Sequence, residues 1–154
     1  MAFKLNISEK NKAWKLETES ELLIGKKIGE KVKGEEISSN LAGYELEITG
    51  TSDKAGFPGF KEVDGPGLTR KLLGYGKGMH KRPKGLSKTP GRKPRGLRLR
   101  KTVRGNTIST DIIQINMKVI KQGSKKLKEI FPEQNKPKEK AAEKAEQVQV
   151  QTPP

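Results

Sequence analysis

Phe3, Leu5 and Ile7 alternate with Lys4 and Asn6, and Trp14 and Leu16 repeat that spacing after the polar turn Glu9-Lys10-Asn11. Period two is the signature of a half-buried strand, so the first twenty residues predict a hairpin. Ser20 stands where it would cap a short turn, Glu21-Leu22-Leu23, stopped at Gly25. Ile28 and Val32 are inward positions of a connecting segment. Tyr44, Leu46 and Ile48 alternate with Glu45 and Glu47 and predict a strand ending at Gly50. The stretch GTSDKAGFPGF after it has the composition of a loop.

Further on, Leu68 to Tyr75 reads as a strand, LRLRKTVRG alternates again, and Ile108, Ile113, Ile115, Met117 and Val119 supply one or two more. Ser124 is placed to cap a short helix bearing Leu127, Ile130 and Phe131, ended by Pro132. Short strands between Gly-rich turns predict an all-β fold, and a small sheet hides its edges by curling into a closed or partly open β-barrel. The expected organisation is a barrel domain over 1–123 including a basic loop at 77–96, a short helix at 124–132, and a disordered or fraying tail at 133–154.

Composition changes this picture in the middle of the chain. Of 154 residues 31% are hydrophobic and 33% charged, so the core is small. The net charge of +15 is unevenly spread. Residues 1–64 carry ten lysines and twelve acids; residues 65–110 carry fourteen basic residues and no acid. All seven arginines also lie in that acid-free third. Arg presents a planar fork that meets phosphate at two points, whereas Lys is a strongly hydrated point charge. The arginines therefore point to a polyanionic partner.

In a strand over 97–104, Leu97, Leu99 and Val103 share one face with Lys101, while Arg98, Arg100, Thr102 and Arg104 share the other. Alternate residues stand about 6.6 Å apart, a spacing suited to following a phosphate backbone. Residues 77–96 are Gly, Pro and basic residues that cannot pack on themselves, so they are expected to order only on structured RNA. The expected RNA-binding set is Arg70, Lys71, Lys77, His80, Lys81, Arg82, Lys84, Lys88, Arg92, Lys93, Arg95, Arg98, Arg100, Lys101 and Arg104. With about eight phosphate contacts, log K falls against log salt with a slope of roughly −6 to −7. Phe57 and Phe60 read as packing residues; His80 and Tyr75 suit either packing or stacking on splayed bases.

Catalysis has little material. Asp53, Asp64 and His80 carry no fixed geometry, and a carboxylate in TSDKAGFPG holds a turn through backbone bonds. Gly74, Gly76 and Gly78 do not follow the dinucleotide spacing. Without cysteine there are no disulfides or thiolate metal sites. No run reaches a membrane span, and the N-terminus lacks a secretory h-region, so the expected location is cytoplasmic.

Four separated motifs carry a resemblance: ITGTSDKAGFPG, GLTRKLLGYGKG, KTVRGNTIST and NMKVIKQG. Together with the opening FKLNIS they resemble small-subunit ribosomal protein six of the archaeal and eukaryotic type, over roughly residues 3–123. The resemblance implies a small β-barrel that binds the RNA of the small ribosomal subunit beside neighbouring small-subunit proteins. It implies a structural role in assembly and translation, with no enzyme activity, cofactor, membrane or small-molecule substrate. The family usually reads Gly-Gly before the Asp and Met after the Pro, where this chain has Thr51 and Gly59. Eukaryotic members continue into a basic helix with phosphorylated serines. Here a short mixed-charge tail stands instead, so the archaeal form is expected and phospho-regulation is not. The alternative is a free-standing RNA-binding translation or regulatory factor with a β-barrel.

Overall fold

The computed structural model describes residues 2–81, 96–132, 134 and 135. The predicted hairpin is present as β1 (Phe3–Glu9) and β2 (Lys12–Thr18). Its turn residues Lys10 and Asn11 both have positive φ, 41° and 67°. A two-residue turn of that kind matches the right-handed twist of the strands it joins. Next come the short β3 (Lys31–Lys33) and β4 (Glu45–Asp53), then β5 (Leu68–Gly74), β6 (Arg98–Arg104) and β7 (Ile112–Lys121). One turn of helix, α1 (Leu127–Ile130), follows.

Five strands form one sheet in the order β2-β1-β7-β4-β3, and β5 pairs with β6 in a separate antiparallel ribbon. β1 and β7 run parallel, with Leu5 opposite Ile115 and Ile7 opposite Met117. Alternation puts Phe3, Leu5, Ile7, Leu46, Ile48, Ile115 and Met117 on one buried face. Trp14 from one edge strand and Val32 from the other join the same core, which shows that the sheet is curved. Burying each such side chain stabilises the fold by about 1.5–3 kcal/mol.

The sheet is open in its hydrogen bonding, because among the described residues β2 and β3 do not pair with each other. Side chains join the two edges instead. Thr18 Oγ1 donates to the Ile37 carbonyl at 3.3 Å, and Ser20 Oγ to the Glu36 carbonyl at 3.0 Å. Ser20 thus leaves the 3-10 turn Glu21–Leu23 without a side-chain cap.

Two further expectations are corrected. β4 runs on through Gly50 to Asp53, where composition had predicted a loop. Its partner β7 is ten residues long and continues the ladder, with Gly50 opposite Asn116 and Thr51 opposite Ile115; register shifts absorb the misfit. Gln134 and Asn135, assigned by sequence to a disordered tail, instead cover the free edge of β2. The Gln134 amide brackets the backbone of Lys15 at 2.7 and 2.8 Å, and Asn135 Nδ2 donates to the Ala13 carbonyl at 2.8 Å. This satisfies edge groups that invite pairing with another chain. The rest of the tail lies outside the described residues.

Candidate nucleic-acid interface

Pairing of β5 with β6 sets which side chains share a face. Gly74 lies opposite Arg98, Leu72 opposite Arg100, Arg70 opposite Thr102, and Leu68 opposite Arg104. Side chains directly across an antiparallel pair point the same way. Arg70, Arg98 and Arg100 therefore stand exposed on one face, with Leu68 (51% exposed) and Leu72 (54%) between them. The other face closes a small second core. Leu73, Met79 and Val103 are buried there, with Phe60, Val63, Tyr75, Leu97 and Leu99 packed around them. A two-stranded ribbon is marginal alone, and this cluster is what supports it.

Arg104 departs from the row predicted for it. It is on the arginine face by register, but its side chain is only 9% exposed. NH1 meets Asp53 Oδ2 at 2.5 Å, NH2 pairs with Asp111 Oδ2, and Nε donates to the Pro66 carbonyl at 2.9 Å. Its backbone N–H donates to the Pro58 carbonyl at 3.0 Å, and its carbonyl accepts from Phe60 N–H at 3.0 Å. Desolvation on its own lowers the guanidinium's pKa, but the bonds to Asp111 and Asp53 outweigh it and raise it. Burial likewise acts to raise the Asp53 carboxyl. Donation from Ala55 N–H and from Arg104 overcomes this and holds it below its ordinary value. Asp53 also receives Ala55 N–H at 3.0 Å, the turn-holding bond expected of it. The fork of Arg104 thus ties the ribbon to β4 and to the turn before β7.

Gly105, next in chain, shows how close this junction is. A Cβ built there would overlap the Gly65 carbonyl. Only glycine fits the position.

The remaining described residues of the predicted set divide as follows. Lys71 pairs with Glu62 and lies 5.8 Å from the Phe60 ring centroid; Lys77 stands 5.1 Å from the same centroid. The Lys71 ammonium lowers the pKa of the Glu62 carboxyl. Lys81 and Lys101 are exposed. His80 meets Tyr75 edge-on at 6.0 Å and 89°. Phe60 packs in the second core, as expected, and carries the two lysines above it. Arg82, Lys84, Lys88, Arg92, Lys93 and Arg95 lie outside the described residues. Sequence reasoning could not pair Arg104 with Asp111, although an acid resuming at 111 directly after an acid-free stretch was a usable signal.

Among the described residues no group of three or more His, Cys, Asp or Glu is placed to hold a metal ion, and no helix is long and apolar enough to cross a membrane. The geometry offers an exposed basic ribbon.

Residues 3–132 match the family described as ribosomal protein S6e. A curated relative from Methanothermobacter thermautotrophicus, named small ribosomal subunit protein eS6, is 47% identical over 136 residues, covering 85% of this chain and 96% of that protein. Its namesake from Methanococcus maripaludis is 44% identical over 126 residues, covering 80% and 91%. The namesake from Methanocaldococcus jannaschii is 41% identical over 122 residues, covering 78% and 82%. Matches of this length and identity run through the sheet, the ribbon and the junction between them, and the chain belongs to the ribosomal protein S6e family.

Proposed function

We propose that the protein is a structural constituent of the small ribosomal subunit in the cytoplasm. It binds ribosomal RNA through the exposed face of β5–β6 and the basic stretch at 77–96, and sits among neighbouring small-subunit proteins. Its role is architectural rather than catalytic. The family relatives carry the assignment to the particle. The ribbon face supports the mode of binding. Arg70, Arg98 and Arg100 point outward together in a region without a single acid, while the acids at its base, Asp53 and Asp111, are engaged by Arg104. Like charges held this way gain most from a phosphate backbone, which accepts the guanidinium forks and releases its counterions. The curved five-stranded sheet acts as the platform, a partly open barrel whose edges are joined by Thr18, Ser20 and the segment after β3.

The test is a salt titration of binding to small-subunit RNA fragments. Arg98→Glu with Arg100→Glu is expected to weaken binding by a few kcal/mol and to flatten the log K against log salt slope by about 2. An unchanged slope would move the contact off the ribbon. Amide exchange over 77–96 is expected to slow on RNA binding. Protection already complete in the free protein would end the ordering-on-RNA reading.

A further inference from the structure

The sheet has a second basic region at the end opposite the ribbon. The ribbon is tied to the start of β7 through Asp111 and to the end of β4 through Asp53. β7 then runs ten residues to Lys121, a span of roughly 30 Å at strand rise. There, beside the β1–β2 turn, an open groove of about 1010 Å³ is lined by Lys10, Lys12, Lys118 and Lys121, among others. It adjoins a cavity of about 320 Å³ between Lys12, Trp14, Lys126 and Lys128. The two share Glu9, Lys10, Lys12 and Gln122, so they adjoin at the β1–β2 turn and together make a basic depression around the end of the hairpin.

Three features distinguish this depression from an ordinary solvated face. Six lysines surround it, and the acids nearby are mostly engaged: Glu9 accepts from Gln122 Nε2, and Glu45 lies 3.7 Å from Lys121. Ile120, 45% exposed, lies between Lys118 and Lys121 in the same lining, much as Leu72 stands among arginines on the ribbon. Trp14 is 2% exposed and its Nε1–H meets no acceptor among the described residues.

We propose that this depression is a second seat for an RNA phosphodiester backbone, gripped by lysine point charges rather than arginine forks. The proposal rests on the reading of the protein as an RNA-bound constituent. Charge selects the occupant: the lysines outnumber the acids there, and the open shape suits a strand more than a compact metabolite. Two seats about 30 Å apart on one rigid sheet let a folded RNA engage both, the second contact forming at high effective concentration.

Trp14 is the only tryptophan of the chain, so its emission reports on this seat and not on the ribbon. The experiment titrates a labelled twelve-nucleotide uridine RNA into the full chain and follows anisotropy and Trp14 emission together. Expected for the unaltered protein is binding by anisotropy with a parallel change in emission. Arg98→Glu with Arg100→Glu keeps the emission change. Lys12→Glu with Lys128→Glu, both exposed positions, loses it and flattens the salt slope by roughly 1.4. Lys12→Gln with Lys128→Gln gives an intermediate loss and serves if the reversal disturbs folding. Binding by anisotropy with silent Trp14, or no binding at all, overturns the second seat; the proposed function is tested separately, by the titration of small-subunit RNA fragments. If removing residues 136–154 alone reproduces the emission change, the tail is the occupant and the proposal fails.

Discussion

The five-stranded sheet and the β5–β6 ribbon use the same alternation of side chains to opposite ends. In the sheet, exposed charges of both signs meet one another: Lys4 stands 3.8 Å from Glu17 and Lys121 3.7 Å from Glu45, while in the segments flanking β3 Lys26 pairs with Glu36. Its inner face carries a core large enough to hold it. In the ribbon, the charges exposed on the face of Arg70, Arg98 and Arg100 are all arginine, and the other face covers a cluster of only three buried side chains among the described residues. Exposed ion pairs like those of the sheet contribute little stability each, but each cancels most of its own field. The ribbon leaves its field uncancelled and depends on a few contacts at its base. The comparison teaches where each region can be broken.

The largest expected effect is at that base. Arg104→Met removes the cation from Asp53, which is only 6% exposed, and leaves a buried carboxylate with no cation and only backbone donors; the expected loss is about 3–5 kcal/mol of stability. Calorimetry measures it, and amide exchange is expected to show β5–β6 opening before the sheet. A loss below about 1 kcal/mol would mean the second core holds the ribbon unaided. Acid tests the same junction. Because the folded pKa of Asp53 is depressed below the ordinary 3.8, its contribution is complete above that value and fades as pH falls through the folded value. Asp53→Asn is therefore expected to remove part of the acid sensitivity seen in the unaltered protein below about pH 4.

How far the sequence revealed these regions follows from what each depends on. β1, β2 and β6 were legible because period two is local, β6 within one residue of its ends, whereas β5 was read as a strand over Leu68 to Tyr75 without a period of its own. Phe60 was legible as a packing residue. The continuation of β4 past Gly50 was not, because the partner that extends it lies some sixty residues away on β7. The parallel pairing of β1 with β7 was hidden for the same reason. On the ribbon, Arg98 and Arg100 were read with their outward direction, and Arg70 was named without a face. Arg104 was misassigned because alternation gives a face but not what covers it, and Asp53 and Asp111 cover it from two other segments. The lysine groove escaped notice because its residues come from the β1–β2 turn, the end of β7 and α1, each unremarkable in charge alone.

A smaller effect lies where β4 meets the segment after it, at Thr51 and Gly59, the two positions at which the resemblance implies Gly and Met. Thr51 is buried on β4, and Gly59 faces it: a Cβ built on Gly59 would overlap Thr51 Oγ1 and crowd Ile28 Cδ1. The two departures therefore compensate, the threonine filling room that a side chain at 59 would need. Gly59→Ala is expected to cost about 1–3 kcal/mol by overpacking. Thr51→Gly in the same chain is expected to recover most of it, a coupling that a double-mutant cycle reads directly. Simple additivity would show that the contact relaxes freely and that the departures are unrelated.

The smallest effect is the sharpest on the ribbon's two faces. Leu72 and Leu73 are adjacent in sequence and identical in chemistry, yet Leu72 is 54% exposed among arginines and Leu73 is 7% exposed in the second core. Leu73→Ala removes packing from a cluster with few members, and a loss toward the lower end of the usual 2–5 kcal/mol is expected. Leu72→Ser touches no core, so stability is expected to stay within about 0.5 kcal/mol of the unaltered protein. An exposed leucine between guanidinium groups has a use only when something apolar, such as the face of an unstacked base, comes down on it. Leu72→Ser is accordingly expected to weaken RNA binding without altering its salt slope, since no phosphate contact is lost. A change in slope would show that the leucine merely spaces the arginines, and no change in affinity would confine the contact to phosphate.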